Sequence, residues 1–219
     1  MTGSRGTRVD LHVKVLDESV VERAKSRGID VLVYAPHFTR LPAIERRAEQ
    51  FSDGELTVIP AREIFAGPWH DRRHVLAFDL SNPIPDFITL EGAMDELDRQ
   101  SATVLAPHPE FLNVSLDRSQ IDRYSDLLDA VEAYNPKHLP WDNRRAREIT
   151  RGTDLAPFTS SYAHLLGTIG ESWTTVDRSI DEAGDLTAAL QSGNPQLFHR
   201  TGVTHRLRCL AEFAHLGYE

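Results

Sequence analysis

Short apolar, β-branched runs alternate with stretches of helical periodicity along the chain, the pattern of repeated β/α units. The runs predict strands over Arg8–His12, Asp30–Tyr34, Leu56–Arg62, His74–Leu80, Thr103–Pro107, Ala130–Tyr134 and Phe158–Ser161. Apolar residues three and four apart predict helices over Glu18–Arg27, Leu41–Phe51, Thr89–Gln100, Ser119–Leu128, Asn143–Arg151 and Ser179–Gln191, with an amphipathic tail from Thr204 to Leu216. Thr89 and Ser179 offer N-caps, and Gly28 offers a left-handed stop for the first helix. Seven strands in this length predict a small α/β barrel, a single domain over residues 1–219; an open doubly wound sheet is the main competitor. No Gly-x-Gly-x-x-Gly or Walker loop follows the first strand, which argues against a nucleotide fold.

Composition narrows the functional classes. No apolar run approaches a membrane span, and the opening "MTGSRGTR" lacks the apolar core of a signal peptide. Cys209 is the single cysteine, which excludes an internal disulfide and a cysteine zinc cluster, so a reducing cytoplasm is the expected location. A net charge of −9 argues against a general nucleic-acid-binding surface, while leaving room for a locally basic cleft.

Ten histidines change the picture. His12, His37, Glu63, His108 and His164 fall at or just past predicted strand ends, and His74 opens a strand. In a β/α barrel the loops after the strands meet on one face, and neutral imidazoles with a carboxylate suit Zn, Mn or Fe. His70, His138, His199, His205 and His215 have no comparable placement and are assigned to surface or packing. Glu132 in "DAVEAYNP" reads as structural or functional with equal ease.

The stretches "DLHVK", "APHF", "AREI" with "RRHVL", "APHPE" and "SSYAH" stand in the order of the motifs of the PHP (polymerase and histidinol phosphatase) family. From Val9 to Trp173 the chain resembles that family, as a divergent member with an incomplete first metal site. The resemblance implies a distorted seven-stranded (β/α)7 barrel with up to three divalent metals, usually hydrolysing phosphoesters. A first metal would take His12, Lys14, Glu63 and Tyr162, so two of its ligands are replaced; a second would take Glu63, His74 and His108. A third would take Asp17 or Glu18 with His37 and His164. Two ions are therefore expected. Pro36 and Glu110 depart from the family pattern as well.

Lys14 carries two readings. Its ammonium can stand in for the missing ion beside Glu63, or it can point to solvent in a degenerate site. The resulting expectation is a cytoplasmic metal-dependent phosphoesterase acting on a small phosphorylated substrate or nucleotide end. Glu63, His12 and Lys14 would be catalytic, and Arg40, Arg62 and Tyr162 would bind substrate. The alternatives are a non-catalytic barrel that docks a protein partner and, more remotely, an amidohydrolase-like enzyme.

Overall fold

The computed structural model describes residues 6–112, 114–192 and 194–216, with residues 215 and 216 described by backbone alone. The apolar runs form strands β1 (Thr7–Val13), β2 (Val31–Tyr34), β3 (Thr57–Ala66), β4 (Arg73–Phe78), β5 (Thr103–Ala106), β6 (Ala130–Tyr134) and β7 (Ala156–Thr159). Between them lie helices α1 (Glu18–Arg27), α2 (Leu41–Phe51), α3 (Leu90–Gln100), α4 (Arg118–Arg123) and α5 (Pro140–Arg151). After β7 come β8 (Ser172–Val176), α6 (Ala183–Ser192), β9 (Gln196–His199) and α7 (Val203–Leu216). Thr89 caps α3 through its hydroxyl and Gly28 ends α1 with φ +71°. Ser179 lies four residues before α6 and does not cap it.

The sheet runs β7-β6-β5-β4-β3-β2-β1-β8-β9. Neighbours are parallel except that β4 is antiparallel to both β3 and β5, and β8 to both β1 and β9. The reversal of β4 follows from its short connection to β3, residues 67–72, which includes Gly67 at φ +91° and a 3-10 turn at Trp69–Asp71. The sheet therefore has nine strands where seven were expected. Both added strands lack a continuous apolar run; β8 reads SWTTV and β9 reads QLFH.

The hydroxyls that hide β8 from a hydropathy reading are what draw the sheet toward closure. Thr174 Oγ1 accepts from Thr159 N at 2.9 Å and donates to Thr159 O at 2.9 Å, and Ser172 Oγ lies 2.6 Å from Thr159 Oγ1. Side chains of β8 thus bond β7 across the gap where a ladder would be, giving a nearly closed barrel of the PHP type. Val9, Leu11, Val33, Ile59, Leu76 and Phe158 fill its interior, while α1–α2 and α3–α5 cover the outside with separate apolar layers.

Helix α7 docks through a polar stripe: His205 Nδ1 bonds Glu171 at 2.7 Å, Cys209 is fully buried, and Glu212 accepts from Lys137 at 2.7 Å. His205 is thus a packing residue, as assigned, whereas the side chain of His215 lies outside the described residues. No helix among the described residues is long and apolar enough to cross a membrane.

Two outcomes follow. Thr174→Val, which keeps the shape but strands Thr159 N and O, should lower unfolding free energy by about 1–3 kcal/mol in denaturant titration. Burial pushes the Cys209 thiol up to about 12, so native protein should resist iodoacetamide until it is unfolded.

Candidate metal centre

β3 places Glu63 on the inward face with Ile59 and Ala61, which share its strand parity and line the barrel interior. Its carboxylate is fully buried and gathers five side chains from four other segments. Oε2 accepts from Lys14 Nζ at 2.6 Å and bonds His37 Nε2 at 2.7 Å. Oε1 faces His108 Nε2 at 3.2 Å, His74 Nδ1 at 3.3 Å and His12 Nε2 at 3.5 Å. His164 completes the group, its ring 5.4 Å from that of His37. The six residues marked out by strand ends therefore meet at one end of the barrel. His74 could open its strand and still join them because antiparallel β4 begins where β3 ends, with His74 opposite Phe65.

His12 and Lys14 enter together because β1 is irregular. Asp10 pairs with Leu32 and Val13 with Tyr34, so three steps on β1 match two on β2. That extra residue lets His12 face Glu63 although Leu11 already belongs to the interior. Lys14 follows the strand end, bonded from its own N to Ala163 O at 2.8 Å, and its Nζ also donates to Ala35 O at 2.7 Å. Of the two readings of Lys14, the ammonium lies inward.

Three other expected residues are not brought to the cluster. Asp17 is exposed and its carboxylate caps α1, accepting from Val20 N at 2.9 Å; neighbouring Glu18 is exposed too. Arg62 alternates with Glu63 along β3, so it points outward and pairs with Asp86 at 2.7 Å. Arg40 is exposed at the start of α2. Tyr162 does belong: it is half-buried, with its ring 4.7 Å from both His12 and His164 and 5.2 Å from His108. Glu110 is turned away to Arg145 and to Arg118 N.

Sequence reasoning missed Lys137. It is fully buried, donates to Glu212 and to Tyr162 O, and lies 3.4 Å from His164 Nδ1. Only the scarcity of lysine, three in the chain, marked it. Two more buried acids support the loops. Asp10 accepts from Ser161 N at 2.9 Å and Gly170 N at 3.2 Å, and Glu132 accepts from His108 N at 2.7 Å and Ser160 Oγ at 2.9 Å. Glu132 is therefore structural: it holds His108 in a left-handed backbone, φ +34°.

Electrostatics follow from burial. Burial alone would raise Glu63, yet Lys14 and the imidazoles outweigh it and hold the carboxylate well below its usual range. Burial and Lys14 push His12 well below the ordinary imidazole value; burial takes His74 to about 4 and His164 to about 2. Burial also lowers Lys14 to about 8 against the pull of Glu63. Neutral imidazoles beside an ionised carboxylate form a ligand set.

The hydrogen-bond pattern tests whether a cation fits. Ser115 Oγ donates to Phe111 O at 2.9 Å, so it accepts from His108 Nδ1 at 2.8 Å. With Nδ1 engaged by Ser115, Nε2 is the ring nitrogen of His108 left to face Glu63 Oε1. Both nitrogens of His12 and of His74 are buried without a hydrogen-bond partner. Ligand atoms of Glu63, His74 and His108 all lie within 4.8 Å of one another, and no other such group of three occurs among the described residues. The donors around Oε1 fit a divalent ion.

A family model described as PHP-associated matches residues 140–195. That segment runs from α5 to just past the end of α6. Residues 140–195 carry the PHP-associated match, and the barrel around them has the PHP-type fold. The chain's fold is similar to that of PsfC from Pseudomonas syringae, at 17% identity over 98% of this chain and 100% of that one, with a TM-score of 0.69. Endonuclease Q, solved with a 27-mer duplex carrying an abasic lesion, is similar at 15% identity over 87% of this chain, TM-score 0.64. This chain spans only 58% of that enzyme. A Bifidobacterium adolescentis protein assigned as a metal-dependent phosphoesterase matches at 15% identity, over 75% of this chain and 89% of that one, TM-score 0.55. No protein with a curated description matches in sequence.

Removing the Lys14 charge isolates its role. In chelator-treated protein, Lys14→Met should lower unfolding free energy by about 3–5 kcal/mol, because Glu63 keeps a buried and less compensated charge. Addition of Zn or Mn should recover part of that loss in a thermal melt.

Proposed function

We propose that this chain is a metal-dependent hydrolase of a small phosphoester, working with one divalent ion where two were expected. The observation that supports it is the division of Glu63: Oε2 is saturated by Lys14 and His37, while Oε1 faces three imidazole nitrogens. Glu63, His74 and His108, with His12 beside them, would hold the ion; Zn, Mn and Fe suit these donors. Bound there, it would supply Lewis acidity toward a phosphoryl oxygen and toward water.

The remaining work falls to the chain's own groups. Lys14 spends two N–H on Ala35 and Glu63 and keeps a third for a substrate oxygen, a fixed positive charge beside the ion-binding oxygen. His37, at the mouth with its side chain 31% exposed, holds Oε2 in place through Nε2. Tyr162 and Phe65 exclude water by packing against His12 and His74. The phosphoesterase and nucleic-acid duplex named for two structural neighbours support a phosphoester substrate. A cytoplasmic location is proposed with it.

A second reading is favoured by Lys137. Its ammonium, fixed by Glu212, stands beside His164 where the family resemblance implied a third ion. A barrel keeping one ion for stability or for docking a protein partner would be built in the same way. Turnover separates the two: the hydrolase reading expects metal-dependent release of phosphate or alcohol from a phosphoester panel, abolished by chelator. Absence of turnover on every ester after reconstitution with Zn, Mn and Fe would transfer the case to the docking barrel.

Metal content gives a further outcome. Elemental analysis should return about one ion per chain, falling to near zero in His108→Ala. The double variant Lys14→His, Tyr162→Asp should raise it to about two, since it supplies a ligand in place of the ammonium and a carboxylate in place of the phenol.

A further inference from the structure

The metal centre opens into a cavity of about 360 Å³, and the entrance is ringed by aromatic side chains that no core covers. Phe38 and Trp69 are each 57% exposed and Phe87 is 45% exposed. Phe38 and Trp69 lie 6.4 Å apart, Phe38 and Phe87 6.1 Å, with their planes within 30° of parallel, and Phe65 closes the base edge-on to Phe38 at 5.0 Å. Phe65 also lies flat on His74, 4.1 Å away. One ring therefore separates this collar from the metal centre.

Neither burial nor backbone ease accounts for it. Phe38 and Phe87 sit in the left-handed region, at φ +50° and +67°, where a bulky side chain is an outlier. Strain retained by residues that gain little from burial points to function. Arg72 supplies the second observation. Its guanidinium lies 4.3 Å over the Trp69 ring and 5.6 Å over Phe65, on the cavity wall. Nη1 donates to Trp69 O, but Nε is buried without a partner, and no carboxylate pairs with Arg72 among the described residues. In a chain of net charge −9, a guanidinium left unpaired on an aromatic face is suited to an anion.

We propose that the collar and Arg72 form a substrate subsite for a planar aromatic group carrying an anionic phosphoester. The ring, a nucleobase or a simple aryl group, stacks among Phe38, Trp69 and Phe87, Arg72 pairs with the phosphate, and the ester reaches toward Glu63. The cavity volume suits a small ligand. The word substrate rests on the hydrolase reading above; the binding itself does not.

Calorimetric titration in excess chelator tests the subsite apart from catalysis, with adenosine monophosphate, phenyl phosphate, glycerol phosphate and adenosine as probes. The aromatic phosphates should bind about tenfold or more tightly than glycerol phosphate, as stacking on exposed rings provides. The tighter of the two aromatic phosphates identifies the ring as nucleobase or simple aryl. Arg72→Gln should bring adenosine monophosphate down to the level of adenosine. Phe38→Asn should weaken aromatic binding several-fold while leaving the melting temperature equal or higher, because Asn tolerates the left-handed backbone; a merely structural Phe38 would lower it. Trp69→Ala gives the same loss of binding from a second position. Equal binding of phenyl and glycerol phosphates, no measurable binding, or unaltered binding in these variants would overturn the subsite. Metal-dependent hydrolysis of glycerol phosphate without aromatic preference would overturn it too, yet leave the hydrolase reading intact.

Discussion

A single buried carboxylate organises this end of the molecule. Glu63 is sealed from water by the strand that carries it, and an uncompensated charge at that depth costs several kcal/mol. Every segment that reaches it brings a nitrogen. The ammonium of Lys14 and the imidazole of His37 take one oxygen, and three further imidazoles surround the other. The asymmetry matters more than the number. One oxygen is satisfied by Lys14 and His37, whereas the other faces three imidazoles, two of which have no hydrogen-bond partner. The ammonium of Lys14 thus supplies positive charge to one oxygen and leaves the imidazoles free to gather at the other.

The loops that carry the imidazoles hang on other buried polar groups. Asp10 grips the turn after β7, Glu132 fixes the backbone of His108, and Ser115 sets its tautomer. Thr159 with Thr174 and Ser172 draws the barrel's open side together by side-chain hydrogen bonds. Such groups are stable only when fully satisfied, so they specify one geometry and hold the ligand atoms within a narrow volume. His108 and Tyr162 accept left-handed backbones in consequence, at φ +34° and +49°. The same left-handed backbone recurs in Phe38 and Phe87 at the entrance.

Lys137 and Glu212 connect this end to the C-terminal helix. Glu212 accepts from Lys137, from the backbone of His164 and Leu165, and from Thr168, so α7 is docked by charge rather than by an apolar face. Phe213, its neighbour, lines the cavity. The helix is thereby part of the site's wall.

The sequence alone determined the alternation of strands and helices, because apolar runs and helical periodicity are local properties. It also singled out His12, His37, Glu63, His74, His108 and His164 by predicted strand boundaries, although Glu63 lies inside β3, which runs on to Ala66. What hydropathy could not reveal were β8 and β9, whose Ser, Thr and Gln form strands through partners supplied from elsewhere in the chain. The position of Lys14 depended on one extra residue in the pairing of β1 with β2, which alternation along a single strand cannot foresee. Arg62 and Asp17 drew attention by their nearness in sequence, but strand parity turned one outward and a helix cap claimed the other. Lys137 emerged only from the fold, since a lysine is buried there because Glu212, 75 residues away, compensates its charge. Local pattern determines which elements form and where their ends lie; which ends meet, and with what charge between them, is decided by long-range pairing.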